Sequence, residues 1–182
     1  MAKLISATYA DALFELAVEE NKVDLLYEEA QAVLKSFNEN KELISFLNLP
    51  KIDNSEKKQT IENIYGKFMS KDMVGFLSII VEKGRYNSIV SILNYFLAKV
   101  KEYKKIGVAY VTSAKELTED QKKAVLKRLL ETTDYVEFEM NYSVDESLLG
   151  GLVIRIGDRV VDSSIKTKLF ELKRNLLKIQ LS

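Results

Sequence analysis

The residues that come nearest to a recognisable chemical device are Gly150-Gly151, followed by Leu152-Val153-Ile154-Arg155-Ile156-Gly157-Asp158. Paired glycines let a backbone approach a phosphate closely. A phosphate-cradling loop, however, leaves a strand and opens a helix, whereas these glycines lead into an apolar, β-branched run. They read as a turn or bulge entering a strand. The second device is the basic set Lys166, Lys168, Lys173, Arg174 and Lys178, which suits nucleic acid or an acidic protein partner. A solvated helix face that complements the helix dipole is the plainer reading, and nucleic acid is set aside. The chain has no cysteine and no histidine, which removes disulfides, thiolate or imidazole metal sites, Cys-His nucleophilic pairs and the usual proton shuttle. Walker, zincin, EF-hand and nucleophile-elbow spacings are absent too. The expectation is no catalytic residue, no metal and no cofactor. A hydrolase built on a carboxylate pair is the enzymatic alternative, and it would need two acids converging in one pocket.

Charge points to no bulk polyanion. The 182 residues carry 27 Lys+Arg against 27 Asp+Glu, and division after Lys105 leaves 15 of each sign in the first part and 12 of each in the second. Locally the balance breaks: residues 11–42 hold nine acids and three lysines, while residues 155–178 hold seven bases and three acids. A partner chosen by charge meets opposite signs at the two ends. Asp11 and Glu15 interrupt the apolar start before a secretory core could form, and no apolar run approaches the roughly 20 residues of a spanning helix. A soluble, cytoplasmic protein is expected.

To Lys105 every periodic segment reads as helix. The spacing predicts helices over about residues 5–20, 23–37, 42–47, one opened by Asp53 with Glu56, one from Ser70 to Gly84, and one from Arg85 to Lys104. Beyond Ile106 the period changes to a strand, IGVAYVT, then a helix opened by a Thr118–Gln121 capping box. In YVEFEMNY, Val136, Phe138, Met140 and Tyr142 alternate with polar neighbours, so these four are expected on a buried face. LVIRI and RVV flank Gly157-Asp158 as a hairpin. Ser163 is expected to cap a last helix with Ile165, Leu169, Leu172 and Leu176 turned inward. The fold class is thus a six-helix, all-α N-terminal bundle, residues 1–105, followed by a small α+β domain, residues 106–182.

The first helix carries more apolar surface than one core needs. Ile5, Leu16, Tyr9, Leu13, Ala17, Ala10, Phe14, Ala7 and Val18 sweep most of its circumference, and the fifth helix repeats the excess through Met73, Val74, Phe76, Leu77, Ile79, Ile80 and Val81. Two such helices suggest a groove for a partner helix, with Tyr9, Ala12, Leu13, Phe76 and Ile79 as its contacts. In the C-terminal part, Gly150, Gly151, Arg155, Gly157, Asp158 and Lys166 mark a docking face for an acidic or amphipathic helix.

The run Tyr9-Ala10-Asp11-Ala12-Leu13-Phe14-Glu15-Leu16-Ala17 resembles the opening helix of ATP synthase delta subunits, the family that includes the oligomycin-sensitivity-conferring protein. Glu82-Lys83-Gly84-Arg85 is similar to the family's link between fifth and sixth helices. Gly150 to Asp158, then Val160, Val161, Asp162 and Ile165, resembles its C-terminal signature, except that Ser163 or Ser164 stands where a glycine is usual. The similarity spans about Ile5 to Leu177. It implies a non-catalytic stator subunit in the peripheral stalk of a rotary proton-translocating ATP synthase. The N-terminal domain would bind the amino-terminal helices of alpha subunits, the C-terminal domain the b-subunit stalk, and the whole would resist rotor torque. The resemblance places such a protein at the cytoplasmic side of a bacterial membrane, held there through the complex and without a transmembrane segment.

Overall fold

A computed structural model describes residues 2–179. The chain divides into two compact units, Met1–Lys101 and Glu102–Ser182, so the division falls inside a helix rather than in a linker.

The first unit contains α1 (Ala2–Glu19), α2 (Val23–Glu39), α3 (Lys41–Leu47), α4 (Asn54–Tyr65), α5 (Lys71–Glu82), a 3-10 turn (Tyr86–Ser88) and most of α6 (Ile89–Tyr103). Capping sets several of the starts. The Asp53 carboxylate accepts the Ser55 N–H at 3.3 Å and so opens α4. Ser70 opens α5 by accepting the Met73 N–H at 3.2 Å. Glu29 of α2 reinforces that start by accepting from the Ser70 N–H at 2.5 Å and its hydroxyl at 2.7 Å. The sixth helix begins at Ile89 rather than at the expected Arg85, because Tyr86–Ser88 winds as a 3-10 turn first. One core joins these helices: Ala10, Leu13 and Ala17 of α1, Leu26, Ala30 and Val33 of α2, Ile61 of α4, Met73, Leu77 and Ile80 of α5, and Ile92, Phe96 and Val100 of α6.

The second unit holds β1 (Ile106–Ser113), α7 (Glu119–Thr132), β2 (Glu137–Val144), a 3-10 turn (Glu146–Leu148), β3 (Leu152–Ile156), β4 (Arg159–Asp162) and α8 (Ile165–Ile179). The strand order is β2-β1-β3-β4, with β1 and β2 parallel and the other pairs antiparallel. A parallel pair needs a crossover, and α7 supplies it. Its capping box is complete: Thr118 Oγ1 accepts the Gln121 N–H at 3.4 Å, and Gln121 Oε1 accepts the Thr118 N–H at 3.0 Å. Ala109 and Phe138 with Met140, Ile154 and Ile156 pack one sheet face against Val125, Leu126 and Leu129 of α7. Eight α-helices and one four-stranded sheet therefore make up the described residues.

Three expectations of the second unit are corrected. Val136 is 72% exposed and precedes β2, and Tyr142 is 38% exposed: the apolar side chains of α7 pack with Phe138 and Met140, while Tyr142 has the Lys122 ammonium 5.3 Å over its ring. Ser164, not Ser163, opens α8: its hydroxyl accepts the Thr167 N–H at 3.2 Å, while its own N–H donates to Asp162 Oδ1 at 2.8 Å. Ile165, Leu169 and Leu172 are 45%, 52% and 58% exposed instead of inward. An apolar stripe needs a facing surface. In this unit the 3-10 turn packs on α8, and Gly150 meets Ile165 in its first turn. The side chains of Leu176 and Lys178 lie outside the described residues.

Candidate partner-binding surfaces

Ser6, Ala10, Leu13 and Ala17, spaced four, three and four, form the buried line of α1. To one side of it the Lys99 ammonium of α6 ion-pairs with Asp11 and sits 5.0 Å over the Phe14 ring. That carboxylate raises the Lys99 pKa, through its hydrogen bond first. To the other side lie Ile5, Tyr9 and Leu16, all half-buried. Two links tie this second shoulder to α5. Lys22, just past the end of α1, donates to Asp72 Oδ2 at 2.7 Å in the first turn of α5. Arg85, just past the end of α5, lies 5.9 Å over the Tyr9 ring. The end of α1 is thus beside the start of α5, and Tyr9, midway along α1, is beside the end of α5, so the two helices run antiparallel.

On α5, Met73, Leu77, Ile80 and Val81 enter the core, and Ser78 turns toward α4 to donate to Glu62 at 3.3 Å. Phe76, half-buried, and Ile79, 52% exposed, remain on the Asp72 side that meets α1. Apolar side chains that the core does not fully enclose therefore stand on both helices: half-buried Ile5, Tyr9 and Leu16 with exposed Ala12 on α1, and Phe76 and Ile79 on α5. Leu13 does not belong to this set. At 1% exposure it is a core residue, and a contact role for it is withdrawn. The wide apolar arc of α1 concealed which residues pointed inward. Stepped at about 100° per residue, Ile5, Tyr9, Ala12 and Leu16 share a side that Leu13 does not, which is the signal that identifies Ile5 and Leu16.

In the second unit the expected docking residues fall into two groups, one at each end of the β3–β4 hairpin. At the far end, Gly157 takes φ +55° in the two-residue turn before Arg159, exposed Asp158 follows it, and Arg155 Nε donates back to the Gly157 carbonyl at 3.2 Å. At the near end, Gly150 and Gly151 line a hollow of about 600 Å³ with Ser113, Leu149, Leu152 and the first turns of α7. Lys166 stands beside this group and donates to Ser147 Oγ at 3.4 Å. Five residues of strand put roughly 16 Å between the two groups. The near end therefore brings together Gly150, Gly151, Lys166 and Ile165, where the α8 stripe begins, while Arg155, Gly157 and Asp158 are apart. Gly151 has a steric reason to be glycine: φ is +78°, and a Cβ there would stand 2.4 Å from the Ser163 carbonyl oxygen. The exposed lysines Lys166, Lys168 and Lys173 alternate on α8 with the exposed apolar residues, Phe170 included.

Among the described residues, no group of three or more His, Cys, Asp or Glu side chains is placed to hold a metal. No described helix is long and apolar enough to cross a membrane. The surfaces that stand out are thus the exposed apolar residues of α5 and α8 and a hollow beside the lysine-bearing α8.

Similarity to known proteins gives the family. The family model for the ATP synthase delta (OSCP) subunit matches residues 5–176. The chain is 60% identical over 181 residues to the ATP synthase subunit delta of Lachnoclostridium phytofermentans, covering 100% of both chains. To the ATP synthase subunit delta of Desulforamulus reducens it is 34% identical, covering 95% of each. A chain of the Toxoplasma gondii mitochondrial ATP synthase hexamer superposes with a TM-score of 0.73 over 94% of this chain and 97% of that one; at 19% identity that likeness speaks for the fold. The chain belongs to the ATP synthase delta (OSCP) subunit family. It is a component of the peripheral stalk of that complex.

Proposed function

We propose that this chain is the stator connector between the catalytic head and the b-subunit stalk, a structural subunit without catalysis of its own. The first unit, read as a helical bundle domain over residues 1–105, holds the amino-terminal helix of an alpha subunit in the α1–α5 groove. The second, residues 106–182, holds the b subunits. Bridging the two, the chain resists the torque of the turning shaft, at the cytoplasmic side of a bacterial membrane.

The observation that carries this reading is the set of apolar side chains that α1 and α5 leave half-buried or exposed, Ile5, Tyr9, Leu16, Phe76 and Ile79, which we read as the lining of the groove. Lodging an amphipathic helix there would bury the strip at about 25 cal/mol per Å². For the b subunits the support is the uncovered stripe Ile165, Leu169 and Leu172, adjoining the hollow and flanked by lysines. Those lysines would steer association more than they would add affinity.

Calorimetry of the full chain with a synthetic amino-terminal alpha-subunit peptide tests the first contact. Ile79→Asp and Leu16→Asp should each weaken binding at least tenfold with the helical circular dichroism unchanged. Wild-type affinity in both variants would remove the groove from the reading. An RNA-binding adaptor working through α8 is the rival class. Affinity for RNA would fall steeply with salt, whereas an apolar helix contact would hardly respond.

A further inference from the structure

The groove is apolar along its length but electrically unlike at its two ends. At the α5 start, Glu20 and Asp72 both ion-pair with Lys22. Against Lys22 and exposed Lys71, the carboxylates of Glu20, Asp72 and exposed Glu19 leave a net negative charge. The opposite end lies roughly 20 Å away, at about 1.5 Å per residue along α5. There Lys83 is exposed and Arg85 sits over Tyr9. Glu82, in the last turn of α5, is turned toward α4, where Lys58 meets it at 3.6 Å. The basic end is also fixed in place. The Gly84 N–H donates to Val81 O at 2.9 Å and the Arg85 N–H to Ile80 O at 2.9 Å, while the ammonium of Lys57, a 2% exposed residue, stands 4.4 Å over the Tyr86 ring.

We infer that these ends set the direction of the bound helix. Its acidic end lies at Lys83 and Arg85, and its basic end at Glu19, Glu20 and Asp72. This rests on the reading of the groove as a helix seat. Acidic residues favour the first turn of a helix and basic ones the last. A partner of ordinary charge distribution therefore enters with its first turn at Arg85 and runs parallel to α1. Apolar burial supplies affinity in either direction, and the end charges discriminate between the two.

The absence of cysteine from the chain makes the test clean. The probe is a designed amphipathic peptide with a leucine stripe, two glutamates in its first turn, two lysines in its last, and one cysteine at either terminus. Single-cysteine full-length proteins report the ends: Ile5→Cys for the Arg85 end and Gly75→Cys for the Asp72 end, where an added side chain meets open space. The expected result is disulfide trapping of the peptide's acidic terminus at Ile5→Cys and of its basic terminus at Gly75→Cys. Adding Lys83→Glu, Arg85→Glu, Glu19→Lys and Glu20→Lys should reverse that pattern. Binding with equal trapping at both ends, or with a pattern that survives the reversal, overturns the directional inference and leaves the groove standing. No binding by calorimetry and no trapping anywhere overturns the groove as well.

Discussion

Three glycine-to-alanine replacements separate backbone conformation from close approach. Gly151 has φ +78°, and its missing Cβ would lie 2.4 Å from Ser163 O and 3.0 Å from Ser164 Cα. Gly157 has φ +55° with nothing within 4 Å. Gly75 lies within α5 with nothing within 4 Å of its added Cβ. Gly157→Ala should cost the left-handed penalty alone, about 1 kcal/mol. Gly151→Ala incurs the same penalty and must also displace the Ser163–Ser164 segment. That segment donates Ser163 N–H to Leu152 O at 2.8 Å and caps α8 through Ser164. Weakening one backbone hydrogen bond and one cap adds roughly 2 kcal/mol, for a total of about 3 kcal/mol. Gly75→Ala should stabilise by about 0.5–1 kcal/mol through helix propensity. Urea denaturation followed by circular dichroism measures all three, with amide hydrogen exchange at Thr167 and Lys168 reporting the start of α8. If Gly151→Ala costs no more than Gly157→Ala, the contact with Ser163 is not a constraint, and the account of the near end fails.

Leu13→Ala should destabilise the first unit by about 2–5 kcal/mol, as a buried leucine does, whereas Ala12→Ser at the rim should leave the melting temperature unchanged; similar losses from both would contradict their burial. Glu29→Ala removes the acceptor for Ser70 and should cost about 1–2 kcal/mol in thermal unfolding, with fraying at the start of α5 visible by hydrogen exchange. The Asp162 pKa is lowered by hydrogen bonds from Thr167 and then Ser164. A depressed carboxylate stabilises above its unfolded pKa and loses that contribution as pH falls through the folded value. Protection of the α8 start should therefore fade only below the ordinary carboxylate range, and Asp162→Asn should remove this pH dependence. Reversing Lys166, Lys168 and Lys173 to Glu should slow association with a b-subunit fragment at low salt, read by stopped flow, and leave alpha-peptide binding unchanged; equally fast association would make the lysines a solvated face.

What the sequence displayed well was local. Thr118 with Gln121, Ser70 and Asp53 announce helix starts through side-chain oxygens that satisfy backbone donors a few residues away, and Gly157-Asp158 announces its hairpin through a glycine free to take positive φ. What it concealed was which part of a wide apolar surface faces inward. Leu13 and Leu16 are the same residue type on one helix, and only the positions of α5 and α6 decide that one is core and the other groove. The α8 stripe misled in the opposite sense: spacing three and four apart says that Ile165, Leu169 and Leu172 share a face, but not that this chain supplies the cover. Val136 alternates correctly with Phe138, yet it precedes the strand and lies outside the cluster that the apolar side chains of α7 form with Phe138 and Met140. Glu29 capping α5 from α2 is a contact between distant positions and leaves no mark in the local pattern.

The walls of the α1–α5 groove come from residues 5–16 and 76–79, segments far apart in the chain that meet only when the intervening helices have packed. An unfolded or half-folded chain has no such groove, so a helix that enters it binds the native state selectively and draws the folding equilibrium with it, by RT ln(1 + [L]/Kd). Capture into an assembly through this surface would thus double as an inspection step. A chain damaged in the core beneath the groove is turned away by loss of the seat itself, without any separate device to recognise the damage.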